Sequence, residues 1–257
     1  MGRFRRLEFE GPQPREAARA EETVGPELYL ERAEREYWEG NFENALRWYS
    51  RALEGDRLLL RAWQRQVVML VELREYDEAA LWADKAMELF PDDPELLASK
   101  AVALCRRGDV IGALLAVDKA IRLPGASPER WVARGEVLLA RREGNQEYCF
   151  SKAISEAPGD WLVQMQIGRV YDFYGLRSKA LEHYRRALDL EPGAVFVLLQ
   201  TARCEKELGL EWRARRTLEE VLQLRPGHLE AGRELLALKT GGFWHSLRGF
   251  LRGLFGR

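Results

Sequence analysis

Residues Trp161–Ala194 read WLVQMQIGRVYDFYGLRSKALEHYRRALDLEPGA, and much of the chain repeats this stretch with variations. Gly168, Tyr171, Ala180, Tyr184, Ala187 and Pro192 fall where two antiparallel helices need a small residue, a bulky one or a stop. One unit downstream Gly175 becomes Gly209, Ala180 becomes Ala214 and Pro192 becomes Pro226, each at a step of 34 residues. Upstream, Ala45, Ala79 and Ala113 keep that step, as do Ala52, Ala86 and Ala120. The second series continues through Ala153, one residue early, to Ala187 and Val221. Small side chains at these places let two helices approach, while Tyr49, Phe150, Tyr184 and Leu218 fill the gaps. All of these residues are expected in the core.

This pattern of tryptophan, glycine, tyrosine, alanine and proline resembles the tetratricopeptide repeat, a helix-turn-helix unit of about 34 residues. Trp63 and Trp131 stand at the fourth place of their units, as that family's pattern wants, and Tyr29 takes the place in the first. The resemblance implies an all-α fold, a right-handed superhelical α-solenoid of about six units. They run approximately over 26–59, 60–93, 94–127, 128–160, 161–194 and 195–228. Four segments follow: an extended or flexible arm over 1–25, the repeats over 26–228, a capping helix over 229–240 and a basic amphipathic tail over 241–257. The cap is expected because the last unit of a solenoid would otherwise expose its apolar face.

Two kinds of punctuation recur in phase. Gly40-Asn41, Gly108-Asp109, Gly144-Asn145, Gly175 and Gly209 mark turns inside a unit, where the chain leaves a helix through a left-handed residue. Pro91-Asp92-Asp93-Pro94, Pro158-Gly159-Asp160, Pro192-Gly193 and Pro226-Gly227 mark turns between units, where proline cannot continue a helix. The fourth unit is one residue short near Arg142-Glu143-Gly144 and puts Gln146 or Glu147 where the alanine should be, which predicts a shortened turn. The first unit has Ala33 for the glycine and Glu36 for the aromatic.

Forty basic residues against forty-one acidic ones give a formal net charge of -1, so no global field draws the chain to nucleic acid or acidic membranes. Arg213, Arg215 and Arg216 are matched by Glu211, Glu219 and Glu220, which reads as a solvated face. Cys105, Cys149 and Cys204 have wide, irregular spacing without a metal-ligand pattern and are expected as buried apolar residues in a reducing compartment. No secretory or twin-arginine signal follows Arg5-Arg6, and Arg6 stands where N-myristoylation wants Ser or Thr. The expected location is the cytoplasm, with attachment to the inner face of a membrane as the variant the tail allows.

Catalysis needs convergent groups, and His183, His228 and His245 have no Cys or Asp at ligand or triad spacing. They are read as solvated or interfacial residues. Gly241-Gly242 lacks the phosphate-loop pattern. The expectation is a chain without catalytic, cofactor or metal site, without nucleic-acid or small-molecule ligand, acting as a scaffold or adaptor that binds a protein or peptide partner.

In tetratricopeptide-repeat proteins the first helix of each unit lines a concave groove that holds a partner segment. Carried over by place in the unit, that groove comprises Leu30, Glu34, Tyr37, Arg61, Gln64, Val68, Val102, Val132, Glu136, Met165, Arg169, Asp172, Leu199 and Arg203. The carboxylate clamp of the chaperone-binding members is not matched, because Leu30, Glu34, Arg65, Glu95 and Ser99 occupy its places. A ligand with apolar side chains therefore fits better than an acidic tail.

Beyond Gly241-Gly242 the chain reads FWHSLRGFLRGLFGR. On a helix Phe243, Trp244, Leu247, Phe250, Leu251, Leu254 and Phe255 share about 140° of arc, with Arg248 and Arg252 beside them. Burial of the apolar face and the cost of ordering a glycine-containing segment nearly cancel, so this helix is expected to form only against something. An anionic membrane, the solenoid itself or the groove of a partner would serve. The first of these makes the alternative function a peripheral membrane-associated assembly factor.

Overall fold

The computed structural model describes residues 25–125 and 127–239. The arm expected before residue 25 and the tail beyond Gly241 lie outside them. Every regular element among the described residues is a helix: α1 Pro26–Trp38, α2 Phe42–Gly55, α3 Leu60–Glu72, α4 Tyr76–Leu89, α5 Pro94–Arg107, α6 Val110–Arg122, α7 Pro128–Arg141, α8 Gln146–Glu156, α9 Trp161–Phe173, α10 Arg177–Leu190, α11 Val195–Glu207 and α12 Glu211–Leu224. A further helix, α13, spans 229–239. The result is a helical repeat. It divides into two compact units in sequence, α1 to α8 and α9 onward, with the boundary between Pro158 and Gly159.

Starts and stops follow local chemistry. Pro94 opens α5 behind Asp93, whose carboxylate accepts the Leu96 amide at 2.8 Å. Asp109 and Asp160 accept the amides of Gly112 at 2.9 Å and Leu162 at 2.8 Å. Each first helix ends in one hydrogen-bonded turn, in which an amide bonds the carbonyl five residues back: Asn41 to Glu36, Glu75 to Leu70, Asp109 to Leu104, Glu143 to Leu138, Leu176 to Tyr171 and Leu210 to Glu205. The residue before each donor has positive φ. It is glycine in four cases, as at Gly108 (φ 101°), but Arg74 (φ 64°) and Arg142 (φ 57°) adopt the same conformation with a side chain. In the fourth pair the expected shortened turn is corrected: residues 142–145, with Gly144 (φ 75°) and Asn145 (φ 63°), separate α7 from α8, one residue more than 174–176 between α9 and α10, and the missing length falls on α8, which has 11 residues against 14 in α10.

Inside each helix pair, one place on the first helix and one on the second share a fixed space. Gly135 faces Phe150 and Gly168 faces Tyr184, so closely that a Cβ would lie 2.3 Å and 2.6 Å from the rings. The equivalent places hold Ala33 with Tyr49, Val67 with Ala83, Ala101 with Val117 and Ala202 with Leu218, all buried. In the second pair the larger residue sits on the first helix.

Between helix pairs of the first compact unit a polar ladder repeats. Gln66 donates to Ser50 at 3.4 Å, Lys100 pairs with Asp84, and Arg134 pairs with Asp118 at 2.7 Å, each over 16 residues. In the second compact unit, Ala231, Leu235 and Leu238 of α13 join Leu198, Leu199, Ala202, Ala214, Leu218 and Val221 in one core.

Candidate protein-binding face

In the first compact unit the first helices of successive pairs touch one another, α3 against α5 and α5 against α7. The polar residues expected in the groove form connections between them. Glu34, 8% exposed, accepts Arg61 at 2.9 Å and lies 3.7 Å from Arg65, whose guanidinium sits 5.1 Å from the centre of the Tyr37 ring. Gln64 donates to Asp93 at 3.1 Å. Arg106 binds both oxygens of Glu136, at 2.7 and 3.2 Å, with Glu136 only 1% exposed. Leu30, Val68 and Val102 are half-buried, whereas Tyr37 and Val132 are buried. Nine of the expected residues thus lie on α1, α3, α5 and α7 of the first unit, and of these Glu34 and Arg61 are joined directly.

The electrostatics there are graded. Burial raises the pKa of Glu95 above its ordinary value, and neighbouring Glu129 and Asp93 raise it further, against the pull of Arg65 and Arg61. Tyr49, beneath Glu34, is pushed far above the ordinary phenol range by burial and then by that carboxylate.

In the second compact unit the picture differs. Met165 and Leu199 are each 3% exposed and serve packing. Arg169 lies over the Phe196 ring at 5.2 Å, and Asp172 accepts Arg177, which also pairs with Glu207. Arg203 pairs with Glu230 and with Glu234, the latter at 2.8 Å. The expected tail contacts, Phe243 to Phe255, lie outside the described residues.

Sequence reasoning missed four things here. Glu95 feels the charge of Glu129 although 34 residues separate them, and that one-period spacing was the available signal. Arg106, 30 residues before Glu136, carried no local sign of its role. The reading of His183 as solvated or interfacial is corrected. It is 7% exposed, bonds Gln164 through Nδ1 at 2.9 Å and stacks on Tyr171. Gln164 occupies the place of the tryptophan in other units, so a polar pair replaces an apolar contact. The ladder of Ser50, Asp84 and Asp118 with Gln66, Lys100 and Arg134 was also legible in principle, since both series step by 34. The three cysteines are buried and unbridged, as expected. Burial raises the pKa of Cys149 and Cys204, which disfavours their nucleophilic thiolates.

Solved structures share this architecture. A tetratricopeptide repeat protein from Parabacteroides merdae aligns over 84% of both chains with a TM-score of 0.52 and 18% identity. The Thermus thermophilus tetratricopeptide-repeat protein TTC0263 aligns over 84% of this chain and 100% of its own, with a TM-score of 0.51 and 17% identity. The fold is the tetratricopeptide repeat. Human IFIT1, solved as a dimer with PPP-AAAA, also shares this repeat architecture, over 77% of this chain and 50% of its own, at a TM-score of 0.53 and 18% identity. No protein-family model matches the chain. Among curated proteins, the Protein CTR9 homolog of Arabidopsis thaliana is 34% identical over 116 residues, which are 44% of this repeat chain and 11% of that protein. No described helix is long and apolar enough to cross a membrane, and among the described residues no group of three or more His, Cys, Asp or Glu could hold a metal.

Proposed function

We propose that this tetratricopeptide-repeat chain is a non-enzymatic interaction scaffold whose first-helix face, on α1, α3, α5 and α7, holds a segment of a partner protein. The reading rests above all on one observation: charged side chains on that face are fixed by pairs such as Glu34–Arg61 and Arg106–Glu136. Half-buried Leu30, Val68 and Val102 supply apolar surface on the same helices. Such a face is ordered before binding, which lowers the entropy cost of holding a peptide. Its chemistry suits a segment with small apolar side chains between polar ones. The buried thiols fit a reducing compartment such as the cytoplasm.

Affinity purification with the full chain tests the reading. Val68→Asp and Val102→Asp place a charge on the face at half-buried positions and should each lose a partner that the unaltered chain retains, with the helical circular dichroism unchanged. A partner set indifferent to both changes would sink the proposal.

A further inference from the structure

Trp48, Trp82, Cys149 and His183 hold one place in the second helix of their pairs, four residues before Ala52, Ala86, Ala153 and Ala187 respectively. In three of these pairs a ring at that place lies against a ring of the first helix. Trp48 stacks on Tyr29 with centroids 5.8 Å apart, Trp82 meets Trp63 at 5.6 Å, and His183 stacks on Tyr171 at 5.5 Å. Equivalent first-helix residues are buried in the second and fifth pairs: Trp63, Gln66 and Leu70 in the one, Gln164, Ile167 and Tyr171 in the other. In the third and sixth pairs the second-helix place holds Ala116 and Thr217. There the first helix offers Leu97 and Leu198, both buried, in place of an aromatic residue.

The fourth pair differs. It keeps the tryptophan, Trp131, and puts Cys149 where Trp82 stands in the second pair. Trp131, Arg134 and Leu138, the counterparts of Trp63, Gln66 and Leu70, are only half-buried. A cleft of about 520 Å³ opens between α7 and α8, lined by those three residues with Asn145, Tyr148 and Cys149. Its walls are held in place. Trp131 Nε1 donates to Glu156 at 2.7 Å, Tyr148 meets the indole edge-on with centroids 6.2 Å apart, and Arg134 is tied to Asp118 of α6 at 2.7 Å. Exposed apolar side chains recur along the same series of helices. Leu81, Leu115 and Tyr148 occupy one place in α4, α6 and α8, and each is more than half exposed. That place carries Arg47, Glu182 and Arg216 in the other units.

We propose that this cleft receives an aromatic side chain of indole size from a partner polypeptide, which completes the fourth pair as Trp82 completes the second. The incoming ring lies against Trp131 with Tyr148 at its edge, the offset and edge-on arrangements that aromatic groups favour. Arg134 adds a cation to the lining, which suits a π-face. Leu81 and Leu115 give the residues flanking that side chain an apolar track, which a free aromatic molecule would leave uncovered. An anchor ring in a fixed pocket beside such a track is how a short segment gains affinity from few residues. The cleft uses none of Leu30, Val68 or Val102 and is separate from the face proposed above.

Titration calorimetry of the full chain with two acetylated, amidated peptides, SLWLS and SLALS, tests this. SLWLS should occupy one site and bind at least about tenfold more tightly than SLALS. Cys149→Trp fills the place from within and should abolish that binding, with a urea midpoint equal to or above that of the unaltered chain. Leu115→Asp, at an exposed position on the track, should weaken SLWLS several-fold. Absence of binding, equal binding of the two peptides, or binding that survives Cys149→Trp overturns the proposal. So does a lowered urea midpoint in Cys149→Trp, since the place then does not accommodate a ring. N-acetyl-tryptophanamide bound as tightly as SLWLS, or SLWLS indifferent to Leu115→Asp, also overturns it, in favour of a free aromatic molecule.

Discussion

The Cβ that Gly168 lacks would stand 2.6 Å from the ring of Tyr184. Both residues are buried, and α9 and α10 pack at that distance because one side chain is absent where the other is large. Gly168→Ala gains about 1 kcal/mol of helix propensity, yet overpacking of this kind costs about 1–3 kcal/mol. The expected result is a net loss of stability in urea unfolding. Adding Tyr184→Leu to Gly168→Ala should recover part of the loss, whereas independent effects would simply add.

Arg74 carries a side chain in the conformation that glycine takes at the equivalent turn of other units. An L-residue there costs roughly 1–2 kcal/mol relative to glycine, partly offset because glycine gains freedom when unfolded. Arg74→Gly should therefore raise the urea midpoint by an amount equivalent to about 0.5–1 kcal/mol. Gly108→Ala, at φ 101°, should lower it. A fall with Arg74→Gly would mean that its side chain contributes more than its backbone costs.

Arg106 and Glu136 form a two-bonded pair whose side chains are 8% and 1% exposed. Removing one partner strands the other's charge in a place poor in water. Arg106→Met alone and Glu136→Gln alone are each expected to cost about 3–5 kcal/mol, and the two changes together less than their sum. A double-mutant cycle by urea unfolding measures the coupling.

The Glu95 carboxyl is held above its ordinary value of 4.5, first by burial and then by Glu129 and Asp93. A raised folded-state value means that the native state binds this proton more tightly than the unfolded chain does. Its contribution to stability is fully present below the unfolded value and is lost as pH rises through the folded one. At pH 7 the half-buried charge works against folding. Glu95→Gln should consequently stabilise the protein at pH 7, with the advantage vanishing below the ordinary value of 4.5. Unfolding midpoints measured at pH 4 and pH 7 check both arms.

The residues that betrayed the fold in sequence were those whose job is the same in every unit. Ala45, Ala79 and Ala113 recur because helix spacing recurs, and Gly175 and Gly209 because the turn does. Exchangeable residues hid better. Val67 with Ala83 inverts the sizes of Ala33 with Tyr49, so neither column reads as a motif although each pair fills its space. His183 was misread because its partner, Gln164, lies on the other helix of the unit, where periodicity within α10 gives no hint. On the proposed binding face, the half-burial of Leu30, Val68 and Val102 accords with their places in the unit. The pairing of Arg106 with Glu136 was not legible, because a charged residue on a first helix has the same pattern whether it faces water or a neighbour.

The ladder of Ser50–Gln66, Asp84–Lys100 and Asp118–Arg134 bears on how such a chain can grow. Size pairs such as Gly168 with Tyr184 travel together when a whole unit is copied, since both members lie within it. The ladder pairs straddle the seam between copies. A duplicated unit ending in Asp84 or Asp118 meets a basic residue only if it lands before a unit such as that of Lys100 or Arg134; inserted before Gln66 it would set a carboxylate beside a neutral amide in place of its basic partner. Lengthening by duplication is thereby tolerated at some seams and penalised at others, and the chemistry of the joints keeps the units in order.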